Sequence, residues 1–102
     1  MNITLQEALN DMVEGIVYHL ERIYKVKPTF YHVDNDSFMI KWTMDYGEKH
    51  TITVVYDEDD DSFTLYKYKH GKKTDTYKFN DLDDVWDQIY FIINHIKPRM
   101  VY

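Results

Sequence analysis

The sequence predicts an α+β domain: a single five-stranded antiparallel meander sheet, with an N-terminal helix and a C-terminal helix packed on one face. Apolar residues recur at three- and four-residue steps near both ends of the chain, whereas they alternate with polar residues through the middle. The segments between the alternating stretches are too short for a parallel crossover. The chain has 102 residues, enough for one hydrophobic core but not two, so residues 1–102 are expected to form a single domain.

The first helix is predicted to run from Thr4 to Lys25. Thr4 and Glu7 have the spacing of a capping box, and Pro28 prevents the helix from continuing. One face of this helix is apolar along its whole length, which predicts burial against a sheet. The residues of this apolar stripe are Leu5, Leu9, Met12, Val13, Ile16, Val17, Leu20, Ile23 and Tyr24.

The middle of the chain has the two-residue period of strands with one buried face. The predicted strands cover residues 29–33, 38–45, 51–56, 63–68 and 74–79. Trp42 falls on the apolar side of the second strand and is predicted to be a core residue. Turn-forming residues separate the strands, and they lie at positions 34–36, 46–47, 57–61 and 70–72.

The second helix is predicted to be capped by Asn80, with acidic residues in its first turn at the positive end of the helix dipole. Pro98 is predicted to end this helix, and the tail 99–102 either packs back on the domain or frays. The predicted core stripe consists of Leu82, Val85, Trp86, Ile89, Ile93 and Ile96.

Composition restricts the classes of function. Cysteine is absent, which excludes disulfides, thiol catalysis and cysteine-based zinc sites and fits a reducing cytoplasm. Acidic residues near the N-terminus argue against a signal peptide, and no apolar run is long enough to span a membrane. We therefore expect a cytoplasmic protein that does not associate with membranes.

Neither a catalytic nor a cofactor site is predicted. Ser37 and Ser62 lie beside acidic turns and have no nucleophile motif around them, and the five histidines have no metal-binding spacing. The acidic run 57–61 begins like a calcium loop, but Ser62 replaces the glycine and Tyr68 the glutamate that such a loop needs. The sequence therefore predicts a protein that is not an enzyme and that holds no metal or cofactor.

Charge is distributed unevenly along the chain, whose net charge is −6. Residues 34–61 hold nine acids and two lysines, whereas residues 62–80 hold five lysines and one acid. Because the sign changes across one hairpin, acids and lysines are expected at opposite ends of the sheet. A compact, polarised chain without catalytic residues is more typical of a binding protein than of an enzyme.

The first functional hypothesis is an acidic protein-binding module, in its most specific form an inhibitor that occupies the basic groove of a nucleic-acid-binding protein. Its carboxylates would replace phosphates and steer association. The composition is also typical of accessory proteins of phages and other mobile elements. The carboxylates predicted to bind the partner are Asp34, Asp36, Asp45, Glu48, Asp57, Glu58, Asp59, Asp60 and Asp61.

Two aromatic residues, Tyr18 and Phe91, fall on the polar faces of the predicted helices, each surrounded by acids. Such aromatics are typical anchors of a protein interface. Alternatively, the C-terminal tail or the second copy in a homodimer covers Phe91.

The second hypothesis is nucleic-acid binding by a lysine- and tyrosine-rich hairpin, residues 66–78, in which tyrosines would stack on bases. The residues predicted for this role are Lys67, Tyr68, Lys69, Lys72 and Lys73. An exposed edge hairpin protected by lysine would have the same composition.

Overall fold

The computed structural model describes residues 3–96 and contains the predicted order of one helix, five strands and one helix. The helices are α1 (Ile3–His19), which a π-helical turn (Leu20–Tyr24) extends, and α2 (Leu82–Asn94). The strands are β1 (Pro28–Val33), β2 (Ser37–Thr43), β3 (Lys49–Asp57), β4 (Ser62–Lys69) and β5 (Lys72–Phe79). They form one antiparallel sheet in the order β1-β2-β3-β4-β5, which confirms the predicted meander.

Both helices lie on the same face of the sheet, α1 against β1 and β2 and α2 against β4 and β5. The strand register places Ile40 opposite Ile52 and Val54 opposite Leu65, so alternate residues of the central strands form one buried layer. The other face has no helix over it among the described residues. The buried apolar residues are Leu9, Met12, Val13, Ile16, Leu20, Val26, Phe38, Ile40, Trp42, Met44, Ile52, Val54, Phe63, Leu65, Val85, Ile89, Ile93 and Ile96.

The turn between β4 and β5 consists of His70 and Gly71, both with positive φ (53° and 77°). Two consecutive residues with positive φ are the mark of a type I′ turn, whose twist matches that of the flanking strands. Lys69 and Lys72 therefore pair directly across the hairpin. The turn lies where it was predicted but comprises only residues 70–71, because Lys72 is already the first residue of β5.

The end of the first helix differs from the prediction. The turn Leu20–Tyr24 is π-helical, and the chain leaves it through Lys25 in the left-handed conformation (φ 59°). A π-helical turn holds more residues than an α-helical one, so it rotates the residues that follow it. Leu20 stays buried, but Ile23 is 44% exposed, and its predicted place in the buried stripe is wrong.

The same turn positions Tyr24 between the two helices. Its half-buried hydroxyl lies 2.5 Å from the carbonyl oxygens of Ile93, in the last turn of α2, and of Ile96, just beyond the helix. Burial raises the pKa of Tyr24, so the hydroxyl remains a donor. The π-helical turn thus connects the end of α1 to the end of α2.

Both predicted helix starts are corrected. Asp81, not Asn80, is the N-cap of α2, because its Oδ1 accepts a hydrogen bond from the Asp83 amide at 2.9 Å. The first helix already includes Ile3, so Thr4 lies within the helix rather than at its cap. Helix α2 ends at Asn94, whereas Pro98 and the tail 99–102 lie outside the described residues.

Trp42 is 1% exposed and confirms its predicted core position. Trp86 is only half-buried and lies where α1 and α2 meet, with its ring centroid 4.4 Å from that of Tyr90. Neither helix, over residues 3–96, combines the length and the apolar character that a membrane crossing requires.

Candidate functional site

Three connections of the meander lie side by side at one end of the sheet: the β1–β2 turn, the β3–β4 turn and the junction between β5 and α2. The backbone amide of Tyr56 donates to the carbonyl of Asp36 at 2.8 Å, and Phe63 pairs with Phe79, so neighbouring connections are held together. Ten exposed acids lie on these connections, and we call them the acidic end. They are Asp34, Asp36, Asp57, Glu58, Asp59, Asp60, Asp61, Asp81, Asp83 and Asp84.

Hydrogen bonds fix the β3–β4 turn at the centre of the acidic end. Asp57 accepts from the Asp59 amide at 2.9 Å, and Asp61, with φ 50°, accepts from the Tyr56 hydroxyl at 2.7 Å. The Asp61 bond raises the pKa of Tyr56. Asp60 accepts from Lys78 and from the Ser62 hydroxyl, each at 2.6 Å, and these two bonds lower the pKa of Asp60, with Lys78 contributing most.

Few basic groups compensate the acidic end. Among residues 3–96, the ion pairs that reach it are Lys78 with Asp60 at 2.6 Å and His32 with Asp34 at 2.9 Å, both exposed. The same described residues contain no group of acids and histidines arranged to hold a metal ion. The acidic end is therefore a surface of largely unpaired negative charge.

Two of the predicted binding carboxylates lie elsewhere. Asp45 and Glu48 belong to the β2–β3 turn, which the meander places at the opposite end of the sheet. Glu48 is engaged there by Lys69 at 2.8 Å and by His50 at 2.8 Å. The structure thus brings together seven of the nine predicted carboxylates, those of the two turns 34–36 and 57–61, and adds those of the α2 start.

The predicted lysine–tyrosine hairpin divides between the two faces of the sheet. Tyr66 and Tyr68 alternate with the buried layer and are half-buried on the open face, where the Lys73 ammonium lies 5.2 Å from the centre of the Tyr66 ring. Lys72 is exposed at the turn. Lys67, in contrast, is only 7% exposed on the face that the helices cover, so it is not available to a ligand on the open face.

The open face also carries a shallow concavity of about 550 Å³ near the β4–β5 turn. Its lining includes Lys41, Lys49, His70 and the buried His50, and the Lys41 ammonium lies 5.8 Å from the ring centre of Phe30, which is 50% exposed. Lysines and exposed aromatic rings therefore occur together on this face.

The two predicted contact anchors are indeed exposed, Tyr18 by 59% and Phe91 by 56%. The Tyr18 ring makes an edge contact with His19, whose ring in turn contacts Tyr90. The Phe91 ring stacks on His95, with 4.0 Å between centroids. Both aromatics lie on the outer side of the helices rather than at the acidic end.

A cleft of about 500 Å³ lies between the end of α2 and the part of the β4–β5 hairpin nearest its turn, and Phe91 is at the edge of this cleft. Inside it, a chain of hydrogen bonds connects Glu48, His50 and Lys67: His50 Nε2 lies 2.8 Å from Glu48 Oε1, and Lys67 Nζ lies 2.9 Å from His50 Nδ1. We call these three residues the buried polar chain.

Electrostatics fix the charge states of the buried polar chain. The hydrogen bond from Lys69, opposed by burial and assisted by His50, lowers the pKa of Glu48 to about 2. Burial, with the nearby Lys67 charge, lowers the pKa of His50, and burial lowers that of Lys67 to about 8. At neutral pH, Glu48 is therefore ionised and His50 neutral.

The buried polar chain was not predicted from the sequence, although a signal was present. His50 precedes Ile52 and Val54 at two-residue spacing, and Lys67 follows Phe63 and Leu65 in the same way. Each polar residue thus continues an apolar series onto the buried face.

Comparison with protein-family models, with curated proteins and with solved structures finds no match to this chain.

Proposed function

We propose that this protein is a cytoplasmic binding module whose acidic end occupies a basic, nucleic-acid-binding groove on a partner protein. The observation that carries the proposal is the convergence of ten exposed acids on three adjacent connections, with Lys78 and His32 as the basic groups that contact them within residues 3–96. The absence of cysteine fits a reducing compartment.

The spacing of the charges supports this proposal. The three connections span three to four strand spacings, which is roughly 17 Å at about 4.8 Å per strand. Duplex DNA carries one charge per about 1.7 Å of its axis, so a duplex of that length carries roughly ten charges. The acidic end therefore has a linear charge density comparable to that of the polymer it would replace.

The hydrogen bonds within the β3–β4 turn also support it. Because Asp57 and Asp61 are held by the Asp59 amide and the Tyr56 hydroxyl, the turn is ordered before it meets a partner. A preorganised surface loses less conformational entropy on binding than a flexible acidic tail would. Its field would also steer a basic partner, which makes association depend on ionic strength.

Binding assays with two charge-matched variants test the proposal. The first replaces Asp57, Glu58, Asp59 and Asp61 with their amides and keeps Asp60, which pairs with Lys78. The control replaces four exposed acids of the first helix and its π-helical turn, Glu7, Asp11, Glu14 and Glu21, so its net charge changes equally. Each immobilised protein is exposed to cell lysate at low salt, and captured proteins are challenged with duplex oligonucleotide.

We expect the wild type and the control to capture a nucleic-acid-binding protein that the duplex displaces, and the turn variant to lose it. Equal loss of capture by both variants would show that capture depends only on the net charge of the protein, which would contradict the proposal. Failure of the duplex to displace the partner would contradict its specific form, the replacement of nucleic acid.

A second candidate function is nucleic-acid binding by the open face. The observation that favours it is the pairing of lysines with rings on the open face, Lys73 with the half-buried Tyr66 and Lys41 with the exposed Phe30, since rings and lysines together bind single strands. Fluorescence anisotropy with a labelled single-stranded oligonucleotide tests it. Binding that falls in K72E/K73E but not in the charge-matched K25E/K27E would favour this function, and no binding at low salt would exclude it.

A further inference from the structure

The Lys67 side chain lies in an unusual position for a lysine. It is on the helix-covered face of β4, and only 7% of the residue is exposed. It is nevertheless part of the wall of the 500 Å³ cleft between β4–β5 and the end of α2. A cleft of this volume is in the range that binds small molecules. A buried amine facing such a space needs an explanation beyond packing.

The hydrogen-bond geometry assigns the tautomer of His50. Glu48 is ionised and can only accept, so His50 Nε2 carries the hydrogen and donates to Glu48 Oε1 at 2.8 Å. His50 Nδ1 therefore has a free lone pair, and it accepts from Lys67 Nζ at 2.9 Å. The Trp42 indole stacks on the imidazole with 5.5 Å between centroids and holds its plane.

The same geometry suits a neutral amine at Lys67. Its Nζ has two acceptors among the described residues, His50 Nδ1 at 2.9 Å and the Tyr68 carbonyl at 2.8 Å. A neutral amine has two hydrogens, which these acceptors satisfy, and one lone pair that remains free. An ammonium would have a third hydrogen, for which the described residues offer no acceptor, and none of their carboxylates lies within 4 Å of it.

The charged and titratable groups around the amine come from every neighbouring element. Glu48 and His50 approach from the β2–β3 hairpin, Lys69 from β4, Asp75 and Tyr77 from β5, and His95 from the end of α2. Lys69 is paired with Glu48, while Asp75 lies opposite Lys67 in the strand register. Burial is the largest influence and lowers the pKa of Lys67 to about 8, against the raising effect of Glu48.

We propose that Lys67 is a nucleophilic amine that condenses with a small aldehyde bound in the cleft, with His50 as its acid–base partner. The amine nitrogen attacks the carbonyl carbon, a C–N bond forms, and the carbonyl π electrons move to oxygen. His50 takes one proton from the nitrogen and returns it to the alkoxide oxygen, which gives a neutral carbinolamine. A second proton, taken up from solvent through His50, lets the hydroxyl leave as water, and the last N–H proton replaces it in solvent. Loss of the remaining N–H proton completes a C=N bond, so aldehyde and amine give imine and water.

Glu48 is a positioning residue in this arrangement, because it touches His50 and not the aldehyde. Its carboxylate fixes the imidazole tautomer and stabilises the imidazolium that forms during proton transfer, the relationship seen wherever a nucleophile, a base and an orienting acid form a chain. Beside the polar Lys69, Thr74, Asp75 and His95, the cleft wall has an aromatic and aliphatic part formed by Tyr77, Phe91, Ile92 and Ile96. They suit an aldehyde with an apolar body.

Reductive trapping tests the proposal on the full chain. The protein is incubated with benzaldehyde and sodium cyanoborohydride at pH 7.5, and peptide mass spectrometry measures the benzyl adduct at each lysine. An amine of pKa 8 is neutral roughly 200 times more often at this pH than one of pKa 10.5. Because the cleft restricts access, we expect Lys67 to be labelled about tenfold faster than the exposed Lys72 and Lys73 of the same hairpin.

The pH profile and two variants complete the test. Labelling at Lys67 should level off above about pH 8, whereas labelling at Lys72 and Lys73 should keep rising toward pH 10. E48Q and H50Q should slow labelling at Lys67 severalfold and leave the labelling rate at Lys73 unchanged. E48Q should also shift the pH at which labelling of Lys67 levels off. Labelling of Lys67 no faster than that of Lys72, no labelling there at all, or a rate insensitive to H50Q would overturn the proposal.

Discussion

The Trp86 indole lies directly over Gly15, where α1 and α2 meet. A β-carbon at position 15 would be 2.3 Å from Cη2 of the ring and 2.7 Å from Cζ2, far inside van der Waals contact. Glycine is required here for space and not for backbone conformation, since Gly15 lies within α1 and is not among the glycines with positive φ. The packing of the two helices therefore depends on the missing side chain.

Replacing Gly15 with alanine should destabilise the protein. Alanine favours a helix over glycine by about 1 kcal/mol, but overpacking costs about 1–3 kcal/mol, so the expected net loss is up to about 2 kcal/mol. Urea denaturation measures it, and N10A, on the exposed side of α1, is the control that should be neutral or slightly stabilising. A G15A protein more stable than wild type would show that the ring moves aside freely.

The two tryptophans should differ in their contribution to stability. Trp42 is 1% exposed and contacts the buried layer, so W42A should cost about 3–5 kcal/mol. Trp86 is half-buried, and its loss should cost clearly less, about 1–3 kcal/mol. Each variant retains one tryptophan whose fluorescence reports guanidinium unfolding. Equal costs would mean that Trp86 belongs to the core as fully as Trp42.

The sequence was sufficient to predict the fold, because each element has its own periodicity and each connection is short. The details it did not predict depend on tertiary contacts. Asn80 and Asp81 are both good caps, and nothing local decides that Asp81 takes the role. The π-helical turn at Leu20–Tyr24 likewise brings Tyr24 into contact with the end of α2, a tertiary contact that local periodicity does not contain.

The candidate sites were predictable to different degrees. The charge distribution along the chain grouped all nine predicted carboxylates together. A meander places alternate turns at the same end of the sheet, which unites turns 34–36 and 57–61 and separates Asp45 and Glu48 from them. Lys67 was likewise assigned to a basic hairpin by charge. Its burial follows from its register with Ile52, so the alternation of side chains along β4 was a better guide than charge.

Glu48 should make stability depend on acid pH. The hydrogen bond from Lys69 is the largest cause that lowers its pKa from 4.5 to about 2 in the folded state. A group whose pKa is depressed by folding stabilises the protein above its unfolded pKa, and this contribution is lost as pH falls from about 4.5 toward 2. Because solvent screens the partly exposed carboxylate, we expect the contribution to be about 1–2 kcal/mol at neutral pH.

Urea titrations of wild type and E48Q between pH 7 and pH 2 measure this contribution. The stability difference between the two proteins should be greatest at neutral pH and should shrink below about pH 4.5. E14Q, which removes an exposed carboxylate from α1, is the matched control and should follow the wild-type curve. A difference between wild type and E48Q that stays constant with pH would show that Glu48 acts through packing and not through its charge.

Lys67 should make the protein more stable as pH rises through the alkaline range, whereas a lysine in a favourable ion pair would make it less stable. Burial lowers its pKa from 10.5 to about 8 in the folded state, so between these values the unfolded chain binds a proton that the folded chain does not. Stability should therefore rise with pH, by about 1–2 kcal/mol from pH 8 to 9.5. Above that range, tyrosines whose pKa values are raised by folding, such as Tyr24 and Tyr46, reverse the trend.

K67M, which keeps the side-chain volume, should abolish the rise, whereas K72M at the exposed turn should preserve it. A wild-type stability that is flat or falling over this range would mean that the buried amine keeps its proton, and that its two acceptors, His50 Nδ1 and the Tyr68 carbonyl, hold an ammonium.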